Sequence, residues 1–102
     1  MPVTVVPVDS HPGALGLQVS WEGGQFVMVV ARNGLVSCGI VDMAVMEKFG
    51  AAIALTRGTP EKPLRTAEDL MRALILEVTP AAAARGVTKG MSGKEALEIL
   101  SR

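Results

Sequence analysis

Aromatic side chains are scarce in this sequence of 102 residues: Trp21, Phe26 and Phe49 are the whole set, and ten basic residues balance ten acidic ones. A nucleic-acid binder needs a basic footprint and stacking platforms, and with neither present that class is set aside. The single cysteine, Cys38, excludes an intramolecular disulfide, and no charged leader followed by an apolar segment opens the chain, so the expected location is the cytoplasm. The longest unbroken apolar run, Phe26 to Ala31, falls far short of the roughly 20 residues that cross a bilayer, which argues against a membrane helix. One histidine, His11, with no second cysteine makes no ligand set, so no metal and no cofactor is expected. Carboxylates paired for acid and base work are also missing. Glu68-Asp69 reads as a helix start, and Glu95 and Glu98 read as a solvated helix face.

What the chain does have is apolar surface. Its hydrophobic fraction is 49% and its mean hydropathy +0.38. A chain of this length is one domain, residues 1–102, and buries roughly two thirds of the surface its unfolded form exposes. That leaves more apolar surface than a small monomer easily hides, so the expected partner is a second copy of the same chain. Charge is sparse where the excess lies: Asp9, Glu22 and Arg32 are the only charged side chains before Asp42.

The pattern predicts an α+β fold with residues 1–41 mainly β and serving self-association, and residues 42–102 α/β and then mainly helical. Val3 to Val8, interrupted by Pro7, reads as a short edge strand, since proline cannot donate to a ladder. Ser10-His11-Pro12-Gly13 is a turn, and Ala14 to Trp21 alternates as a half-buried strand. Phe26 to Ala31 and Leu35 to Val41 flank Asn33-Gly34, the strongest signal for a two-residue type I′ hairpin. That turn predicts Val29 opposite Cys38, Val27 opposite Ile40 and Met28 opposite Gly39. Asp42 caps a short helix from Met43 to Phe49 closed by Gly50, and Ala51 to Thr56 is a buried strand set parallel to the hairpin's second arm. Thr66 opens a helix whose buried face runs through Leu70, Met71, Leu74, Ile75 and Val78. Thr79-Pro80 starts another, ended by Gly86, and Ser92 to Glu95 is a capping box for the last.

Cys38 is the candidate nucleophile, a few residues ahead of a helix start, but the predicted register puts it on an all-apolar face without a base. Gly39 leaves a hollow where a backbone or a ligand can approach. The glycines from Gly86 to Gly93 do not make a phosphate loop, because Thr88 and Glu95 stand where glycine and a hydroxyl residue are needed. Exposed amides there, with Lys89 and Lys94 nearby, offer a small anion a place to bind.

Asn33-Gly34-Leu35-Val36-Ser37-Cys38-Gly39 with Asp42, and Gly90-Met91-Ser92-Gly93 running to Glu95-Ala96-Leu97, together resemble the YunC-like domain of unknown function. The resemblance covers most of the chain from about Gln25. It implies a small α+β domain of bacteria and archaea whose N-terminal β region serves tetramerisation, and it transfers no catalytic residue. Ile40, where relatives often carry an aromatic, and a longer Thr59 to Leu64 loop are departures that bear on loop geometry. Two readings follow, beside a purely structural one in which the chain scaffolds another protein. The first is a homo-oligomeric cytoplasmic domain, a tetramer, that binds a small molecule or a protein partner. The second is a small enzyme with its pocket near Cys38, Gly39 and Asp42, where Arg57 or Lys89 holds an anionic substrate.

Overall fold

The computed structural model describes residues 3–8 and 13–102; the expected turn at Ser10 to Pro12, with His11, lies outside them. Six strands form one mixed sheet in sequence order: β1 (Val3–Pro7), β2 (Leu15–Trp21), β3 (Gly24–Val30), β4 (Leu35–Ser37), β5 (Ile53–Leu55) and β6 (Glu77–Val78). All neighbours are antiparallel except β4 and β5, which run parallel across the crossover helix α1 (Met43–Lys48). Three further helices follow, α2 (Ala67–Arg72), α3 (Pro80–Ala84) and α4 (Gly93–Leu100).

The meander β1–β2–β3, the parallel β5 and the helix starts agree with the sequence. Asp42 caps α1 by accepting from the Val45 amide at 3.1 Å, and Gly50 takes the left-handed conformation, φ 72°, that stops it. Thr66 with Asp69 and Ser92 with Glu95 form reciprocal capping boxes on α2 and α4.

The hairpin differs from the expected one by two residues. Val29 pairs with Val36, Val30 with Leu35 and Met28 with Ser37, and the Ala31 amide donates to the Gly34 carbonyl at 2.8 Å, so Arg32-Asn33 occupies the turn. Neither Asn33 nor Gly34 has positive φ. Packing decides this. A Cβ on Gly34 would lie 2.5 Å from the Ala52 carbonyl oxygen and 2.8 Å from Leu100, and the Asn33 amide donates to the Leu100 carbonyl at the end of α4 at 2.9 Å. The Asn-Gly pair serves a close approach to α4 and the β5 strand, and the type I′ turn is not used. Because a slip of two preserves side-chain parity, Val27, Val29 and Val36 still share the core face. The strand itself ends at Ser37, leaving Gly39 and Ile40 in a turn and Ile40 exposed.

The second half is not mainly helical. Leu70 and Met71 of the expected helical stripe lie in α2, but α2 ends at Arg72 and the rest of the stripe, Leu74, Ile75 and Val78, lies outside any helix, with the Leu76 amide donating to Leu55 at 2.8 Å and the Thr79 amide to Ile53 at 3.0 Å. The free edge of β5 provides a ladder for these residues, and Pro80 biases Thr79 away from helical geometry. Thr79 is buried and fully engaged: its hydroxyl donates to the Ala51 carbonyl at 2.6 Å and accepts from the Ile53 amide at 3.0 Å.

The main core cluster lies on the side of the sheet where α2 and α4 pack. Val27, Val29 and Val36 meet Leu70 of α2 and Leu97 and Leu100 of α4, with Ile75 and Val87 closing the cluster. In β2 it is the small and polar row that faces these helices. A Cβ on Gly16 would sit 2.7 Å from the Ala67 side chain, and the Gln18 side chain accepts from the Ala67 amide at 3.0 Å, giving α2 a cap from the sheet. The apolar row of the same strand therefore faces away from the core.

Candidate functional site

The register defines that outer face. Val3, Val5, Leu15, Leu17, Val19 and Trp21 of β1 and β2 continue into Phe26, Met28 and Val30 of β3. Every one of them is apolar. Val3 is 57% exposed, Val5 59%, Leu15 50% and Val30 48%, levels that a residue row of a finished core does not show. Trp21 and Phe26 lie against each other at 6.1 Å between ring centroids. Farther across the same face the exposure stops: Ser37, Ile53 and Leu55 are buried. The bare area thus belongs to β1–β3, where the sequence is nearly free of charge.

The residues with chemical potential lie elsewhere, at the carboxyl ends of the parallel pair β4–β5, the position where ligands of parallel sheets commonly bind. Cys38 follows β4, donates its amide to Val27 at 3.1 Å and packs, half-buried, against the core cluster. Arg57 follows β5 and lies across Gly39, with its Cγ 3.4 Å from where a Cβ would be. The hollow at Gly39 is therefore occupied by the arginine's stem. Beyond it Nη2 of Arg57 meets Glu77 Oε2 at 2.8 Å, a pairing across β5 and β6 that sequence distance conceals. Gly39 and Arg57, both named from the sequence, thus lie in contact. Asp42 is engaged in its cap, and Lys89 is exposed in the turn before Gly90. Lys94 lies away from these residues and lines another open cleft, of about 630 Å³, with Val6, Gln18, Met71 and Arg72. Among the described residues no group of three His, Cys, Asp or Glu side chains is placed to hold a metal ion.

Next to Arg57 an open cleft of about 560 Å³ runs between the loop after β5 and the end of α2. Its wall contains Lys62, Pro63 and Leu64 from the loop and Arg72 and Leu74 from the helix end. The loop is tightly organised. Thr59 and Lys62 exchange backbone hydrogen bonds at 3.1 and 3.0 Å, a Cβ on Gly58 would meet the Leu64 nitrogen at 2.8 Å, and the Gln25 side chain donates to the Leu64 carbonyl at 3.2 Å. Lys62 and Arg72 escaped sequence reasoning because α2 and the loop meet only in three dimensions. The dense turn chemistry of Gly58-Thr59-Pro60-Glu61-Lys62-Pro63 was the available signal.

Asp69 forms one side of this cleft. Partial burial pushes its carboxyl up, but the amides of Arg65 and Thr66, the Thr66 side chain and the charge of Arg72 outweigh that and hold it below the ordinary aspartate range.

Residues 37–100 match the family described as Domain of unknown function (DUF1805). The chain belongs to that family. The matched segment takes in the end of β4, the crossover, the cleft and helices α1 to α4. A crystal structure of a protein of unknown function from Thermoplasma acidophilum is similar over 97% of this chain and 91% of that one, with a TM-score of 0.80 and 15% sequence identity. At that identity the likeness speaks for the fold, and it extends over the N-terminal strands as well. No curated protein matches the sequence. No helix among the described residues is long and apolar enough to cross a membrane.

Proposed function

We propose that this domain works as a self-assembling module and that the outer face of β1–β3 is the contact between copies. One observation carries the reading: the outward row of three adjacent strands holds nothing but apolar side chains, about half exposed at Val3, Val5, Leu15 and Val30. Monomeric soluble proteins rarely leave so continuous an apolar patch in water, whereas a face of this kind is ordinary at an obligate interface. A second copy suits it better than a charged partner, because a neutral apolar sheet face is complementary to another of the same kind and two-fold pairing brings identical patches together. The expected stoichiometry is a tetramer in the cytoplasm, where a lone thiol such as Cys38 stays reduced.

Sedimentation velocity across micromolar concentrations tests the reading. The expected result is a stable oligomer for the native chain and a monomer for Val5→Lys combined with Val30→Lys, with both retaining the same far-UV spectrum. A native chain that sediments as a monomer throughout the range removes the proposal.

A further inference from the structure

Beyond assembly, and whether or not the copies associate, the geometry points to the cleft between the Gly58–Leu64 loop and the end of α2 as a binding site for a small organic acid. Its oxyanion would be held by Arg57, Lys62 and Arg72 and its apolar body by Pro63, Leu64 and Leu74. Four observations converge. The cleft, about 560 Å³, falls in the size range of small-molecule sites. Three cationic side chains line it against one carboxylate, Asp69, whose Oδ2 already accepts from the amides of Arg65 and Thr66, each at 3.2 Å. The cations keep unused capacity: Lys62 makes no ion pair among the described residues, while Arg57 and Arg72 each reach one exposed carboxylate, Glu77 and Glu68, through Nη2. A guanidinium has five donors in a fork that fits carboxylate or phosphate, and exposed pairs of this kind are weak enough for an incoming oxyanion to replace.

The fourth observation concerns the walls. Leu74 is 58% exposed and lines the cleft together with Pro63 and Leu64, so the cleft combines cationic side chains with apolar surface. A bare inorganic anion would leave that surface unused. The loop that carries Lys62 is fixed in advance by the Thr59–Lys62 exchange and by the Gln25 anchor on Leu64, so binding orders little new chain and loses correspondingly little entropy.

The test is amide chemical-shift mapping of the full chain during titration with benzoate, phenyl phosphate and inorganic phosphate. The expected result is saturable shifts centred on residues 57–64 and 72–74 with benzoate or phenyl phosphate, which of the two binds more tightly identifying the head group. Inorganic phosphate should bind about tenfold more weakly or less, since it buries no apolar body. Lys62→Ala and Arg72→Gln, both at exposed positions and checked for an unchanged spectrum elsewhere, should each weaken binding about tenfold, as expected for loss of a hydrogen bond to a charged group. The assignment is overturned by shifts that fail to saturate with either aromatic acid, by inorganic phosphate binding equally well, or by both variants binding like the native chain.

Discussion

The two faces of the β1–β3 sheet are built from the same strands and teach different things. On the inner face the covered side chains are small or branched: Gly16, Val27 and Val29 are buried on the side where α2 and α4 pack, beside Val36 of β4. On the outer face they are larger, with Leu15, Trp21, Phe26 and Met28, and they remain partly in water. Volume explains the choice of side. Helices approach a sheet closely where the sheet offers little bulk, and a Cβ on Gly16 would already collide with Ala67. The larger, more hydrophobic row is then left over for another surface. In a small domain that buries only part of its apolar area, hydrophobicity alone does not identify the core, and fit does.

The sharpest way to break this comparison is to remove equal side chains from the two sides. Leu97→Ala, in α4 beneath the sheet and fully buried, should cost about 2–5 kcal/mol in denaturant unfolding through lost burial and a cavity. Leu15→Ala on the outer face should change the stability of the dissociated chain by less than about 0.5 kcal/mol. It should instead lower the unfolding midpoint in a concentration-dependent way, because oligomer stability follows mass action. Equal costs for the two at high dilution would mean that the outer row is covered within one copy.

Adding bulk on the inner side comes next. Gly93 opens α4 at a point where a Cβ would run into the Leu70 carbonyl oxygen, and its own amide donates to Ala73 at 2.8 Å. Gly93→Ala should cost about 1–3 kcal/mol as the two helices are pushed apart, despite the better helix propensity of alanine. A comparable loss, about 1–3 kcal/mol, is expected for Thr79→Val, which keeps the shape and strands the Ala51 carbonyl and the Ile53 amide in a buried place. Unfolding curves for Thr79→Val that match the native chain would show that water reaches those groups.

These particulars also show how far the sequence could be read. Caps were legible because they are local: Asp42, Thr66, Thr79 and Ser92 each announce a helix within four residues. The parallel return of β5 followed from a short helix between two apolar runs. The turn at Asn33-Gly34 misled because its local preference was overruled by two distant groups, Ala52 and Leu100. The stretch from Leu74 to Val78 fits a helical stripe as well as an extended edge, and the choice fell to β5, which had an unpaired edge to offer. Of the residues around the candidate site, the sequence points to Gly39 and Arg57, which are neighbours in the fold, whereas Lys62, Arg72 and Glu77 need the loop, the helix end and the last strand to be brought together.

A smaller effect than those of Gly93 and Thr79 is expected where the loop passes into α2. Asp69 accepts from the Thr66 amide and in turn Thr66 accepts from the Asp69 amide at 3.1 Å, so its ionised form is favoured in the folded chain and its carboxyl is held below its ordinary value of 3.8. The sign follows from linkage. A carboxyl depressed on folding stabilises the native state in full above its unfolded value, about 3.9, and the contribution disappears as pH falls through the lower folded value. The native chain should therefore exceed Asp69→Asn in stability by a constant amount above about pH 5, and that margin should shrink progressively below about pH 4. Because Asp69 sits at the surface end of α2, the margin itself is expected to be modest, of the order of one capping interaction, about 1 kcal/mol. Urea unfolding of both chains at steps between pH 3 and pH 7 measures it. Two curves that stay parallel down to pH 3 would mean that the carboxylate's hydrogen bonds to the helix start are matched equally well by the amide, and that the charge at this edge of the cleft contributes nothing to the fold.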